Sequence, residues 1–184
     1  MVLTKTPICN FGEKAKDFNL KSTENNQISL KDVKGKNGTL VMFICNHCPY
    51  VKAIIKNLVD DVKFLERMGV KSVGIMSNDV KNYPEDSFEN MKIFSKLNNF
   101  SFPYLLDKSQ NVAKAYGAVC TPDFFGFNSK LELQYRGRIR ELKNLVAIDN
   151  KDSDLRIAMT MISKTGHGPE KQIPSMGCNI KWFK

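Results

Sequence analysis

Residues 39–48 decide the fold, and they read Thr39-Leu40-Val41-Met42-Phe43-Ile44-Cys45-Asn46-His47-Cys48. The mostly apolar run 39–44 is short and follows Gly38, which is typical of a buried central strand. From residue 48 to residue 68, apolar residues recur at three- and four-residue spacing, which predicts an amphipathic helix that ends at Gly69. Two cysteines three residues apart therefore stand where a buried strand passes into a helix.

Strands and helices alternate along the rest of the chain. Strands are predicted at 70–76, 103–106, 124–127 and 131–135, and helices at 84–97, 110–116 and 152–163. This order predicts an α/β fold with a central mixed sheet flanked by helices. We expect one domain over residues 1–165, which includes an N-terminal extension, and an irregular C-terminal tail over residues 166–184 that packs on that domain.

Composition narrows the function classes. The 184 residues are 42% hydrophobic and 26% charged with a net charge of +9, but the basic residues are spread along the chain and do not indicate a nucleic-acid site. No run approaches the roughly 20 apolar residues of a membrane helix. The charged first twenty residues do not resemble a secretory signal, so a full-length chain is expected in the cytoplasm, although a trimmed signal peptide would leave the same kind of sequence.

The cysteine pair suggests redox chemistry. In a reducing compartment, a close pair is catalytic or metal-binding more often than structural. The helix N-terminus is expected to lower the pKa of Cys45 and favour its thiolate, and Cys48 lies within reach to release a mixed disulfide. A hydrogen bond or positive charge from His47 towards the Cys45 sulfur would favour the reduced form. The alternative is a pair of buried, inert cysteines.

The sequence Cys45-Asn46-His47-Cys48-Pro49-Tyr50-Val51-Lys52 resembles the signature of bacterial thioredoxin-like proteins of the AhpC/TSA (redoxin) family, many of them described as thiol-disulfide isomerases. Further matches are Ser77-Asn78-Asp79, Tyr83-Pro84-Glu85-Asp86, Phe102-Pro103-Tyr104-Leu105, Val119-Cys120-Thr121-Pro122-Asp123-Phe124-Phe125, Tyr135-Arg136-Gly137 and Gly177-Cys178-Asn179-Ile180-Lys181-Trp182. The resemblance implies a thioredoxin-like fold and a thiol-disulfide oxidoreductase without a cofactor or metal. Its substrate would be a disulfide- or thiol-containing protein or small molecule, with an unknown electron donor.

The resemblance also implies a substrate groove. Thr121-Pro122 matches the cis-proline that faces the dithiol in this fold, where the preceding backbone pairs with a substrate strand. The alternative is an ordinary trans proline at a strand start. Asn46, which lies between the two cysteines, and Pro49, which directly follows Cys48, complete the expected substrate-binding set.

The remaining cysteines do not form a second pair. Cys9, Cys120 and Cys178 are isolated in sequence, which argues against a four-cysteine zinc site. Cys120 should lie near the dithiol as a third redox thiol or a small buried residue. Cys178 is a second possible accessory thiol, if the tail folds back and places it beside Cys120 or the dithiol.

Some positions depart from the related proteins. Thioredoxins carry a tryptophan before the first cysteine and a buried acid six residues before it, where this chain has Ile44 and Thr39. The acidic pair that often follows the Tyr-Arg-Gly motif is absent, since that segment reads Arg138-Ile139-Arg140-Glu141. These departures leave the path of proton transfer open.

Two other functions compete with disulfide exchange. A peroxiredoxin uses a Pro-x-x-x-Thr-x-x-Cys loop, but alignment on Cys48 places Val41 and Cys45 at the proline and threonine positions. A copper-binding thioredoxin-like protein would use the two cysteines with His47 or His167 as soft ligands. His167 lies in a Gly-His-Gly segment, which is typical of a solvated loop.

Overall fold

The computed structural model describes residues 3–148 and 152–183. The strands are β1 (Leu3–Lys5), β2 (Asn19–Ser22), β3 (Gln27–Ser29), β4 (Gly38–Phe43), β5 (Val70–Met76), β6 (Tyr104–Leu106), β7 (Cys120–Thr121), β8 (Asp123–Phe127), β9 (Leu133–Tyr135), β10 (Leu142–Lys143), β11 (Val146–Ala147) and β12 (Met176–Asn179). The helices are α1 (Pro49–Glu66), α2 (Phe88–Leu97), α3 (Asn111–Tyr116) and α4 (Asp154–Thr165). In this part of the chain, no helix is long and apolar enough to cross a membrane.

A seven-stranded sheet organises the molecule, in the order β3-β2-β6-β5-β4-β8-β9. Strand β4 runs parallel to β5 and antiparallel to β8, so the sheet is mixed, as the sequence predicts. A three-stranded sheet, β1-β12-β7, and a two-stranded sheet, β10-β11, complete the architecture. The carboxyl end of β4 therefore lies between two neighbouring strands, in the interior of the large sheet.

The alternation of side chains along β4 supplies two cores. Leu40 and Met42 face the core that also contains the apolar sides of α1 and α4, whereas Val41 and Phe43 face the core on the other side of the sheet. All four side chains are buried, and each contributes about 1.5–3 kcal/mol by leaving water. This burial on both faces fixes the direction in which the chain leaves β4 and enters the cysteine loop.

The helix predicted from Pro84 is divided in two. A 3-10 turn spans Pro84–Asp86, and Ser87 then adopts an extended conformation before α2 begins. The Ser87 hydroxyl accepts a hydrogen bond from the Asn90 amide, 3.4 Å away, and so caps α2. The division allows the Asp86 side chain to turn inwards, where it is fully buried.

The C-terminal tail is not wholly irregular, because it contains β12. This strand lies between β1 and β7, and its Cys178 stands opposite both Leu3 and Thr121. The Thr6 amide donates to the Ser175 carbonyl at 2.9 Å just before β12 begins. The two ends of the chain are thus held together beside the cysteine loop.

Candidate active site

The two cysteines of the pair occupy different positions relative to α1. The Ile44 amide donates to the Ile75 carbonyl at 3.0 Å, so the ladder between β4 and β5 continues to the residue before Cys45. Cys48 is the N-cap residue of α1, and Pro49 begins the helix. Cys48, and not Cys45, therefore lies at the helix N-terminus, where unpaired amides favour negative charge.

The loop before β8 faces both sulfurs. The peptide bond between Thr121 and Pro122 is cis, which confirms that prediction. The Sγ atom of Cys45 lies 3.3 Å from the Thr121 hydroxyl, and the Cys48 thiol donates to the Thr121 carbonyl at 3.1 Å. Cys45 is 1% exposed and Cys48 is fully buried. The dithiol is thus enclosed by the loop that the sequence assigns to substrate binding.

The two thiols differ in acidity, in the opposite sense to the sequence prediction. Burial raises the pKa of Cys45 well above its usual range, and the neighbouring Cys48 and the Asp86 carboxylate raise it further. In this reduced state the pKa shift of Cys45 therefore has the opposite direction from the predicted lowering. Its sulfur precedes the helix and faces a buried acid, so it lacks the favourable potential of the helix N-terminus.

Cys48 carries the lowered pKa. A hydrogen bond from the Cys45 thiol lowers the pKa of Cys48 most, and this effect outweighs the cost of burial. The Cys178 thiol and the Val51 amide lower it further, to about 5. The Thr121 carbonyl acts in the opposite direction, because it accepts a hydrogen bond only from the neutral thiol. The donors predominate, so the pair shares one proton and one negative charge near neutral pH.

Asp86 organises the other side of the loop. Its Oδ2 atom lies 2.6 Å from Nδ1 of His47 and accepts from the Asn78 side-chain amide at 2.8 Å, while Oδ1 accepts from the Asn46 backbone amide at 2.8 Å. The hydrogen bond to Asp86 raises the pKa of His47. Burial raises the pKa of Asp86, but the hydrogen bonds from His47 and Asn78 outweigh it, so this pKa lies below the usual value.

His47 therefore makes its side-chain hydrogen bond to Asp86. The sequence predicts a different partner, the Cys45 sulfur. Its ring stacks on that of Tyr83, with centroids 5.7 Å apart and an angle of 9° between the planes. The Asn46 side chain faces inwards, where it accepts from the Tyr104 hydroxyl at 2.9 Å. Asn46 is buried, which makes it part of the support of the loop.

Asp86 is the site residue that sequence reasoning missed. The acid that thioredoxins carry at the position of Thr39 is absent, and Thr39 has a structural role, since its hydroxyl accepts from the Gly35 amide at 3.1 Å. Asp86 belongs to the Tyr83-Pro84-Glu85-Asp86 motif. That match could have identified it, although no local pattern indicates that its side chain reaches the dithiol.

The three cysteines outside the pair differ in their position relative to the dithiol. The Sγ atom of Cys178 lies 3.1 Å from that of Cys48. Cys120 is buried and its thiol donates to the Pro122 carbonyl at 3.5 Å, while Cys9 is half-buried. His167 is exposed, and its backbone amide donates to the Thr165 hydroxyl at 3.1 Å. Only Cys178 among these residues makes a hydrogen bond to the dithiol in the described chain.

A buried ion pair supports the loop from behind. The Arg136 guanidinium lies 3.0 Å from the Asp123 carboxylate and donates to the Gly117 carbonyl at 2.7 Å. Burial raises the pKa of Asp123 to about 6 despite this partner. Because Asp123 directly follows Pro122, the pair fixes the backbone that faces the cysteines.

Among the residues that the structure describes, one group of side chains could hold a metal ion. Donor atoms of Cys45, His47 and Asp86 all lie within 4.8 Å of one another. The set combines one soft thiolate with a borderline imidazole and a hard carboxylate, so it matches no single class of metal closely. His167, the alternative copper ligand from the sequence, is not part of this group.

Comparisons with solved structures reveal two levels of similarity. An uncharacterized conserved protein from Geobacillus kaustophilus has a TM-score of 0.93 at 41% identity, over 100% of this chain and 97% of that chain. The thioredoxin domain of a thiol-disulfide oxidoreductase from Bacteroides vulgatus has a TM-score of 0.58 at 19% identity, over 73% of this chain and 89% of that chain. The second similarity shows that the fold is thioredoxin-like.

Sequence comparisons give the family. A protein of Mycobacterium tuberculosis, provisionally named a peroxiredoxin, is 24% identical over 165 residues, which cover 90% of this chain and 94% of that protein. The profile of the AhpC/TSA family matches residues 11–141, which include the cysteine pair, the cis-proline loop and Asp86. The chain with this thioredoxin-like fold and buried dithiol belongs to the AhpC/TSA family.

Proposed function

We propose that the protein is a thiol-disulfide oxidoreductase that works through Cys45 and Cys48. The observation that carries the proposal is the pair of buried thiols beneath the cis-proline loop, with the Cys45 sulfur 3.3 Å from the Thr121 hydroxyl and the Cys48 sulfur 3.1 Å from the Thr121 carbonyl. Only a thiolate attacks a disulfide, and a pair that remains ionised near neutral pH meets this requirement. The named oxidoreductase among the similar structures supports the same chemistry.

The reaction would begin at Cys45. Its sulfur attacks one sulfur of the substrate disulfide as its proton passes to the Cys48 thiolate, and the other substrate sulfur leaves as a thiolate. Cys48 then attacks the Cys45 sulfur as its proton passes to the departing second substrate sulfur, which leaves as a thiol, and a Cys45–Cys48 disulfide remains. Two electrons pass from the dithiol to the substrate, and the reverse sequence oxidises a dithiol substrate.

The electrostatics favour the oxidising direction. A lowered pKa of Cys48 stabilises the reduced, ionised pair, and a stable reduced form makes the disulfide a stronger oxidant. We therefore expect a reduction potential above the value of about −270 mV for thioredoxin and towards the value of about −120 mV for a strong oxidant.

A cavity beside the cis-proline suits an apolar side chain of the substrate. It has a volume of about 230 Å³ and is lined by Tyr50 and Ile54 of α1, by Pro122 and by Ile139. Lys5 also borders it, which adds positive charge. A peptide whose cysteine lies near an apolar residue would bury that residue here, at about 25 cal/mol per Å² of apolar surface removed from water.

Two serine variants test the proposal. Cys45→Ser should abolish reduction of a model peptide disulfide, and Cys48→Ser should accumulate a mixed disulfide between Cys45 and the peptide, visible by mass spectrometry. Cys120→Ser is the matched control, because it removes a buried thiol whose hydrogen bond goes to the Pro122 carbonyl. Full turnover by Cys45→Ser would refute the assignment.

Peroxide reduction is a second candidate, and the position of Cys48 favours it. Cys48 carries the lowered pKa at a helix N-terminus. Its thiolate would attack the peroxide and break the oxygen–oxygen bond, and the resulting sulfenic acid would condense with Cys45 to give a disulfide and water. Trapping of a sulfenic acid on Cys48 with dimedone and hydrogen peroxide tests this reaction in a variant that carries both Cys45→Ser and Cys178→Ala, because Cys178 lies 3.1 Å from Cys48 and would otherwise condense with the sulfenic acid.

A further inference from the structure

The C-terminal strand occupies the place where a substrate strand is expected. Strand β12 pairs antiparallel with β7, with Cys178 opposite Thr121. The Ile180 amide donates to the Val119 carbonyl at 3.2 Å, which extends the ladder beyond the two paired residues. The backbone that precedes Pro122 is therefore already paired, and its partner is the tail of the same chain.

The approach of the two strands is close. A Cβ atom placed on Gly177 would lie 2.0 Å from the Thr121 carbonyl oxygen, so this position has no room for a side chain. The Ser175 hydroxyl donates to the Pro122 carbonyl at 2.8 Å on one side of the strand. On the other side, the Lys181 amide donates to the Asn78 side chain at 2.8 Å. The strand is thus anchored at both ends.

This anchoring brings the Cys178 thiol to the dithiol. Its Sγ atom lies 3.1 Å from Sγ of Cys48, and both residues are buried. In a thioredoxin-like enzyme, a substrate cysteine would sit on a strand paired with the residue before the cis-proline. Cys178 has this placement within the same chain.

We propose that Cys178 is a third redox thiol, which exchanges with the Cys45–Cys48 disulfide to form a Cys48–Cys178 disulfide. The inference rests on the proposed disulfide-exchange function. The Cys178 sulfur gives up its proton and attacks Cys48; the bond between Cys48 and Cys178 forms as the bond between Cys45 and Cys48 breaks. Cys45 leaves with the electron pair and takes up a proton, so the step needs no external oxidant.

The electrostatics of Cys178 change in the direction that this step requires. In the reduced protein, burial raises the pKa of Cys178 to about 12, and both the hydrogen bond and the negative charge of Cys48 contribute to this rise. Oxidation of Cys48 removes its negative charge and its capacity as a thiolate acceptor. Both of these contributions to the raised pKa of Cys178 are then absent, and the positive charge of Lys181 favours its thiolate.

The exchange has a consequence for the enzyme. It stores the oxidising equivalent in a bond between α1 and the C-terminal strand, and it returns Cys45 to the free thiol state beside Asp86. When a substrate thiol is available, it would attack Cys48 in the Cys48–Cys178 disulfide, and Cys178 would leave as the thiolate. The oxidised protein is accordingly a mixture of two disulfide isomers.

Thiol mapping of the oxidised wild-type protein tests the proposal. The protein is oxidised with diamide, freed of excess reagent and equilibrated at pH 7. Its remaining thiols are then blocked with N-ethylmaleimide in acidic denaturant, and the protein is digested for mass spectrometry. Cys9 and Cys120 should be labelled in all molecules, whereas Cys178 and Cys45 should each be labelled in a fraction of them. A peptide pair linked through Cys48 and Cys178 should also be present. Cys178→Ala should leave only the Cys45–Cys48 link, and Cys120→Ala should leave the labelled fractions of Cys178 and Cys45 unchanged.

Two different failures can be told apart. Label on Cys178 but not on Cys45, together with a Cys45–Cys48 link, would overturn the role of Cys178 and leave the proposed function intact. The absence of any disulfide that includes Cys45 or Cys48 would overturn both. A Cys45→Ser variant that does not lose two hydrogens in diamide would also contradict the exchange, because Cys48 and Cys178 remain in contact in that variant.

Discussion

The reduction potential of the dithiol should depend on pH in a way that reveals the shared proton. With the pKa of Cys48 near 5 and that of Cys45 well above its usual range, the reduced pair carries one proton at neutral pH. Reduction of the disulfide then takes up two electrons and one proton. A pair of ordinary thiols, with pKa values of about 8.5, would take up two protons.

The size of the effect follows from the proton count. For a two-electron couple, each proton changes the potential by about 30 mV per pH unit. Between pH 6 and pH 8, we therefore expect the potential to fall by about 60 mV, where two ordinary thiols would give about 120 mV. Below the pKa of Cys48, near pH 5, the slope should double.

Equilibration with glutathione or dithiothreitol buffers at several pH values measures this slope, and absorbance of the thiolate at 240 nm gives an independent titration of Cys48. Cys178→Ala removes a donor to the Cys48 sulfur, which is worth about 1.5–3 kcal/mol when the acceptor is charged. This loss should move the change of slope upwards by about one to two pH units, since one pH unit corresponds to about 1.36 kcal/mol. Cys120→Ala is the matched control and should leave it in place.

A slope of about 59 mV per pH unit throughout the range from pH 6 to pH 8 would refute the reasoning. It would mean that both thiols are neutral in the reduced protein and that the Thr121 carbonyl, not the surrounding donors, determines the state of Cys48.

Three further perturbations test the supports of the site. Asp86→Asn should lower the pKa of His47 towards its usual value of about 6.5, as measured by nuclear magnetic resonance titration of the imidazole. The folded-state pKa of His47 is raised. The ion pair of His47 with Asp86 therefore stabilises the protein at pH values below about 6.5, and this stabilisation is lost as pH rises through the folded-state pKa. A His47→Gln variant that unfolds at the same denaturant concentration as the wild type at pH 5.5 would contradict this. Arg136→Leu should lower the free energy of unfolding in urea by about 3–5 kcal/mol, because it leaves the Asp123 carboxylate buried without its partner. Addition of Asp123→Asn should recover part of this loss. A loss below about 1 kcal/mol would contradict the buried ion pair between Arg136 and Asp123. Gly177→Ala should loosen β12 and speed its cleavage by protease, since the added Cβ meets a backbone carbonyl at 2.0 Å; unchanged cleavage would contradict the close approach of β12 and β7.

The central strand and helix could be predicted from the sequence because their signals are local. Strand β5 has the bounds 70–76 that its apolar run predicts, and α1 follows the helical spacing of apolar residues from Cys48 onwards. Ser153 caps α4, since its hydroxyl accepts from the Arg156 amide. In each case the residues that form the element also determine where it begins or ends.

The parts of the site that the sequence does not predict depend on contacts between residues that are distant along the chain. Strand β12 has no apolar alternation and forms through pairing with Thr121 and Leu3, which are far away in the sequence. Asp86 reaches the dithiol only because the chain turns between Pro84 and Ser87. The acidity of the two thiols likewise depends on burial and on their contacts with each other, with Asp86 and with Cys178, which helix periodicity does not reveal.

Rates of oxidation test the central claim most directly. Reduced protein is mixed in a stopped-flow instrument with a cysteine-containing peptide disulfide or with hydrogen peroxide, each at the same micromolar concentration. The decrease in thiolate absorbance measures formation of the Cys45–Cys48 disulfide, and mass spectrometry verifies the product. Disulfide exchange predicts faster oxidation by the peptide disulfide and release of the reduced peptide in equal amount. Rapid oxidation by peroxide, with the peptide disulfide inert, would contradict that claim and assign the dithiol to peroxide reduction.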